Sequence, residues 1–376
     1  MFEQLSKSLE LLGSSNPNKK PYFCRIKRHQ MEKNQPKRTE ISELGEFGLI
    51  EHLTQKFKIK NPSTVQGIGD DAAVMHYGNL ETVVSTDLLL EGIHFDLMYV
   101  PLKHLGYKSV VVNLSDIYAM NAQPKQITVS LGISNRFSVE ALDEFYEGVR
   151  QACEFYGVDL VGGDTSSSRQ GMIISVTALG VAPKDKIVYR STAKEGDLIC
   201  VTGYLGNAYL GLQLLEREKR IFQENPNIQP DLTSGEAFID RFLRPEARKD
   251  VIDLFAQANL VPTAMIDVSD GLASDLFHIC EASGVGAFIE EDGVPIHIDA
   301  QLKAIDEFKL DPITIALHGG EDYELLFTVN PKDLEKVKFL PNLYIAGEIT
   351  PAKDGIKLHT KGGNIHPLKA QGWQHF

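Results

Sequence analysis

The chain has 376 residues, 43% hydrophobic and 24% charged, with a formal net charge of −13. That length holds two domains with full cores, since domains usually run ~100–200 residues, and no run approaches the ~18 apolar residues of a membrane span. The acidic balance argues against nucleic acid as a main partner, and Cys24, Cys153, Cys200 and Cys280 are scattered without a CxxC pair, as in a reduced cytoplasmic protein.

Residues 1–40 read as a mobile basic extension. Lys7, Lys19, Lys20, Arg25, Lys27, Arg28, Lys33, Lys37 and Arg38 face only Glu3, Glu10, Glu32 and Glu40 there. No continuous apolar core of roughly 7–15 residues marks a secretory signal, and Met31 is a candidate start. The globular part divides near the charged stretch 184–195, into residues 41–185 and 186–376.

From Glu40 onward, Phe47, Ile50, Leu53 and Phe57 carry a helical spacing. A strand is expected over residues 81–87, ending in Ser85-Thr86-Asp87, and a helix over 103–122. On that helix Asn113, Asp116 and Met120 share one face among apolar neighbours, so Asp116 projects from a rigid element. A strand follows at 125–134. Ser138 reads as the cap of a helix lined by Val139, Leu142, Phe145, Val149, Ala152 and Tyr156, which Gly157 closes. A short strand at 158–161 delivers Gly162-Gly163-Asp164-Thr165, and 172–182 is β-branched and extended. In the second half, strands are expected at 198–202, 264–268, 323–329 and 343–349. Helices are expected at 206–218, up to Ala258, and after Ser269-Asp270-Gly271, where Ser269 or Asp270 would cap. Gly203-Tyr204-Leu205-Gly206 reads as an ordinary strand–helix turn, because no Gly-Lys-Ser/Thr follows.

The stretch Gly67-Ile68-Gly69-Asp70-Asp71 sets a theme that recurs through the chain. Ser85-Thr86-Asp87, Ser115-Asp116, Gly163-Asp164-Thr165, Asp267-Val268-Ser269-Asp270 and Glu321-Asp322 all place acids beside small or hydroxyl residues. Adjacent acids repel by roughly 1 kcal/mol at ~4 Å even in water. If these clusters converge in the fold, cations must neutralise them, and hard oxygen ligands select Mg²⁺.

Long blocks in fixed order carry a resemblance from about Gly45 to Trp373. They are GEFGLI, GIGDDAAV, STDLLLEGIHF, NLSDIYAMNAQP, VGGDT, YRSTAKEGD with VTGYLG, FLRP, IDVSDGLASDL and GGEDYELLF. Together they resemble the thiamine-monophosphate kinase family, of the aminoimidazole-ribonucleotide synthetase-like ATP-dependent superfamily. The resemblance implies a two-domain α+β fold whose N-terminal strands form a barrel across a homodimer, with an ATP site and several Mg²⁺ ions in the cleft. It implies transfer of the γ-phosphoryl of ATP to thiamine monophosphate, giving thiamine diphosphate. By position, Asp71, Ser85, Thr86, Asp87, Asp116, Asp164, Asp267 and Asp270 match metal-binding residues, with Asp70 in support. Gly163, Asp164, Arg190 and Ser269 match positions around the nucleotide, and His94, Glu321 and Trp373 match those contacting the thiamine phosphate.

An acceptor that is already an ionised phosphate needs no strong general base, so direct in-line transfer is expected. For His94 the residues alone leave open an acid/base group, a donor to the acceptor phosphate and a packed structural histidine. Alternatives are another superfamily member, such as an aminoimidazole-ribonucleotide synthetase, or a metal-dependent phosphohydrolase. A Ca²⁺-binding or protein-interaction module does not fit acids spread so widely along the chain.

Overall fold

The protein is described by a computed structural model over Leu44 and residues 52–66, 74–75 and 80–369. Residues 1–40, Asp70, Asp71 and Trp373, and most of the helix expected around Phe47, lie outside the described residues.

Two open sheets carry the chain. After the antiparallel pair β1 (Thr64–Gln66) and β2 (Val74–Met75) come β3 (Glu81–Leu90), β4 (Gln123–Ile133), β5 (Asp159–Ser167) and β6 (Ile173–Ala182). These last four form one sheet in the order β3-β6-β4-β5, with only β4 and β5 parallel. The second sheet holds β7 (Leu198–Thr202), β8 (Ala264–Val268), β9 (Gly286–Glu290), β10 (Glu324–Val329), β11 (Leu343–Thr350), β12 (Ile356–His359) and β13 (Ile365–Pro367). Its order is β13-β12-β9-β11-β7-β10-β8, which leaves β8 at an edge. Neither sheet closes on itself, so the barrel expected from the resemblance is not formed within one chain.

The helices that position the site are α1 (Leu102–Ala119), α2 (Val139–Tyr156), α3 (Asn207–Glu224), α4 (Glu236–Leu243), α5 (Lys249–Ala258) and α6 (Leu272–Ser283). Helix α1 is buried around most of its circumference, 14 of its 18 residues being buried, polar Lys108, Asn113 and Ser115 among them. Such a helix belongs between layers rather than on a surface. It packs against β3, β4 and β6 of the first sheet and against β8 of the second. Each fully buried aliphatic side chain on it, such as Val110, Leu114 or Ile117, contributes roughly 1.5–3 kcal/mol of transfer free energy. Helix α2 has one apolar face and covers α1. The two approach closely at a pair of glycines. A Cβ on Gly106 would sit 1.9 Å from the Phe145 carbonyl oxygen, and one on Gly148 would sit 1.8 Å from that of Lys103.

Several boundaries follow local rules. The Ser138 hydroxyl accepts from the Ala141 amide at 3.4 Å, and Gly157 ends α2 at φ 69°. Other elements run beyond their expected ends. Strand β3 continues to Leu90, so Ser85-Thr86-Asp87 lies inside a strand, and Gly162-Gly163-Asp164-Thr165 lies within β5. Helix α4, which ends in Phe242-Leu243, was not expected; only the helix after Phe242-Leu243-Arg244-Pro245 was. Among the described residues no helix is long and apolar enough to cross a membrane. Cys153, Cys200 and Cys280 are free and buried.

Candidate active site

Three carboxylates from different parts of the chain meet beside α1. Asp87 comes from β3, Asp116 from α1 and Asp267 from β8. Alternation along β3 turns Ser85 and Asp87 toward α1 and exposes Val84, Thr86 and Leu88 on the other face. The Ser85 hydroxyl donates to Asp116 Oδ2 at 2.5 Å, and the Asp87 amide donates to Asn113 Oδ1 at 2.9 Å. Asn113 is itself held, through its Nδ2, on the Ser109 carbonyl at 3.0 Å. One residue before Asp116, the Ser115 hydroxyl donates to Asp267 Oδ2 at 2.7 Å. Successive residues of one buried helix thus grip both sheets.

The electrostatics record this convergence. Burial, then the charges of Asp116 and Glu321, pushes Asp87 up to about 6. Burial, then Asp116, pushes Asp267 up to about 7, against the opposing hydrogen bond from Ser115. Asp116 is raised by burial, with the Ser85 hydroxyl and the Arg190 charge pulling the other way. The buried Tyr323 hydroxyl is raised by burial and then by Glu321, Asp87, Asp267 and Asp116. One ring therefore feels the charge of all four acids.

Two loops from the second sheet complete the junction. Expected capping of α6 by Ser269 or Asp270 does not occur. Gly271 occupies the cap position with no side-chain bond, and the buried Asp275 takes the Asp270 amide at 3.3 Å. Burial, followed by the charges of Asp267 and Asp270, holds Asp275 well above the usual carboxylate range, against the amides of Asp270 and Ser269. Sequence reading missed Asp275, although an acid between the core positions Leu272 and Leu276 was the signal.

Strand β10 begins after a tightly held turn. Glu321 and Tyr323 both adopt left-handed backbone, at φ 64° and 50°. Such conformations are uncommon outside glycine and need outside support. Support comes from the Glu321 amide on the Ser269 carbonyl at 2.7 Å and the Tyr323 amide on the Val268 carbonyl at 2.8 Å. Between them the buried Asp322 accepts from the amides of Gly206 at 2.7 Å and Ala208 at 3.2 Å. This carboxyl occupies the amides that a phosphate would need at the Gly203–Gly206 turn. Glu324 lies buried between Arg241 at 2.6 Å and Arg248 at 2.8 Å. The Glu321 side chain forms an ion pair with Lys108 of α1, a residue sequence reading did not single out.

The other expected site residues are placed as follows. Thr86 points away from Asp87, donating to the Val176 carbonyl and accepting from Thr177, each at 3.0 Å. Gly163 and Asp164 are exposed on the edge strand β5, where the register line Asp164–Ser130–Ser175–Leu88 passes one residue from Asp87. Arg190 is exposed, and its charge reaches Asp116. Ser269 and Asp270 are half-buried beside the Glu321 turn. His94 is half-buried, and its Nδ1 accepts from the Leu90 amide at 2.9 Å, so the neutral ring carries its proton on Nε2.

The donor set suits a hard divalent cation. Carboxylates that raise one another's affinity for protons gain from any cation that replaces those protons. Among the described residues no three His, Cys, Asp or Glu side chains stand around a single ion position. The fit therefore rests on charge and donor type at Asp87, Asp116 and Asp267.

Two α/β units with acids from both at their junction define the class of the AIR synthase related proteins. The N-terminal domain of that family matches residues 69–182 and the C-terminal domain matches residues 194–358. The thiamine-monophosphate kinase of Aquifex aeolicus is 34% identical over 336 residues, covering 89% of this chain and 99% of the relative. That of Bacillus subtilis is 36% identical over 345 residues, covering 89% of this chain and 100% of the relative. The solved structure of AaThiL complexed with AMPPCP and TMP matches with a TM-score of 0.67 at 32% identity, covering 91% of this chain and 100% of that one. The chain belongs to the thiamine-monophosphate kinase family.

Proposed function

We propose that this protein transfers the γ-phosphoryl group of ATP to the phosphate of thiamine monophosphate, producing thiamine diphosphate and ADP. The observation that carries this reading is the set of hydrogen bonds by which helix α1 gathers Asp87, Asp116 and Asp267 from both sheets. Phosphoryl transfer between two anions needs alignment and charge compensation far more than covalent help. A relative of the same family binds an ATP analogue together with TMP, which supports the substrate pair.

In this reading the bond from the γ-phosphorus to the ADP oxygen breaks as a bond to an acceptor phosphate oxygen forms, in line and without a phosphoenzyme. No residue acts as a general base. Asp71, Ser85, Asp87, Asp116, Asp164, Asp267 and Asp270 would hold Mg²⁺, while the Thr86 hydroxyl, expected among them, lies on the opposite face of β3. When bound, Mg²⁺ offsets the negative charge gathered where the two phosphate groups meet. Gly163, Asp164, Arg190 and Ser269 face the nucleotide, and Arg190 suits a bidentate phosphate contact. His94, Glu321 and Trp373 would contact thiamine monophosphate.

The chain divides into residues 41–185, for ATP and Mg²⁺, and 186–376, which complete the substrate site. The four-stranded sheet within 81–182 and the seven-stranded sheet within 198–367 support that division. A homodimer in which N-terminal strands form a barrel is supported by the apolar face of β3, where Val84 and Leu88 are 58% and 53% exposed. The cytoplasm suits an enzyme with buried free thiols.

Incubating the purified protein with Mg²⁺, ATP and thiamine monophosphate, then identifying the products, tests the reading. Thiamine diphosphate and ADP in equal amounts support it. Free phosphate without thiamine diphosphate makes the protein a phosphohydrolase instead.

A further inference from the structure

We infer that Lys108 is a positioning residue for the acceptor, acting through Glu321. The inference rests on the kinase reading above, in which Glu321 faces thiamine monophosphate. Lys108 is only 6% exposed, on the fully packed helix α1. A buried ammonium is costly unless partners surround it, and this one has two. Its Nζ donates to the Phe242 carbonyl at 3.0 Å, at the end of α4, and lies 3.8 Å above the Phe242 ring. It also forms an ion pair with Glu321 Oε2, and the Glu321 side chain remains 33% exposed.

The pair fixes Glu321 from two directions. Its backbone is pinned in a left-handed conformation by the Ser269 carbonyl, and Lys108 sets where the carboxylate points. The charge of Lys108 matters as much as its grip. Glu321 adds to the repulsion felt by Asp87, so this end of the junction is strongly anionic. An incoming phosphate is repelled by every uncompensated carboxylate there. A fixed ammonium on Glu321 keeps that carboxylate oriented for its ligand while cancelling most of its repulsion of the phosphate.

The test is a double-mutant cycle with Lys108→Met, which keeps the length of the buried stem, and Glu321→Gln. Wild-type protein that makes no thiamine diphosphate overturns the kinase reading and this role with it. With an active wild type, Lys108→Met is expected to raise KM for thiamine monophosphate at least about tenfold, leave KM for ATP within about twofold, and be partly rescued by Lys108→Arg. The double variant is expected to be no worse than Glu321→Gln alone. Effects that multiply, or an equal rise in both KM values, overturn this role while leaving the kinase reading intact. If Lys108→Met does not fold, the neutral Lys108→Gln in the same cycle with Glu321→Gln gives the same comparison.

Discussion

Ser115 Oγ stands 2.7 Å from Asp267 Oδ2, a buried contact that spans 152 residues of sequence and ties helix α1 to the edge strand β8. Its neighbour Asp116 is held by Ser85 of the other sheet. The carboxylates of this junction are therefore carried on regular elements and tied together through one buried helix rather than held on loops.

Neutralising any one acid at this junction should abolish most turnover while leaving the fold intact. Asp87→Asn, Asp116→Asn and Asp267→Asn are each expected to lower kcat by roughly 10²–10³-fold, the range for losing one electrostatic stabiliser. Because these carboxylates repel one another, Tm should stay level or rise. Steady-state kinetics with a thermal melt checks both, and near-wild-type turnover in any of the three would count against the assignment.

Stability should depend on pH with a definite sign. Asp87 and Asp267 are raised to about 6 and about 7, above the ordinary carboxylate range. The folded state therefore holds protons that the unfolded chain releases at about pH 4. Their contribution is fully present below that pH and is lost as pH rises through 6–7. Metal-free wild type should thus lose more Tm than Asp267→Asn between pH 5.5 and pH 8. Added Mg²⁺ should raise Tm more at pH 8 than at pH 5.5, where protons compete. Scanning fluorimetry of both proteins, with and without Mg²⁺, measures this.

The α1–α2 contact should not tolerate a methyl group. At Gly106 and Gly148 an added Cβ would fall 1.9 and 1.8 Å from backbone oxygens of the facing helix, so the helices must separate. Gly106→Ala and Gly148→Ala are each expected to cost about 1–3 kcal/mol in urea unfolding, the usual range for overpacking. An unchanged midpoint in both would show that the helices yield freely.

Asp322 should matter to helix α3 although it lies more than 100 residues away from it in sequence. Asp322→Ala removes the acceptor of two buried amides, at an expected cost of about 1–3 kcal/mol. Hydrogen exchange should then accelerate at Gly206 and Ala208 ahead of the helix centre. Uniform acceleration along α3 would argue that Asp322 does not act as its cap.

Local signals in the sequence carried the elements whose ends depend on neighbours in the chain. The Ser138 cap, the Gly157 stop and the strands at 198–202 and 264–268 were legible because hydroxyl caps, left-handed glycines and apolar runs act over a few residues. The acids at Asp87, Asp116 and Asp267 were legible too, as carboxylates beside small residues. Their mutual approach was not, because repulsion and burial depend on distance in space. Strand alternation likewise separated Thr86 from Asp87, which a contiguous motif cannot express.

The amino-acid order alone thus determined which oxygens this protein has and which short segments present them, since propensity, capping and periodicity are local. Only the tertiary structure decided that α1 would lie between two sheets, that Lys108 would pair with Glu321, and that Asp275 and Asp322 would take backbone amides in place of local caps. Those choices come from burying α1 on nearly every side, and no single segment contains the surfaces that bury it.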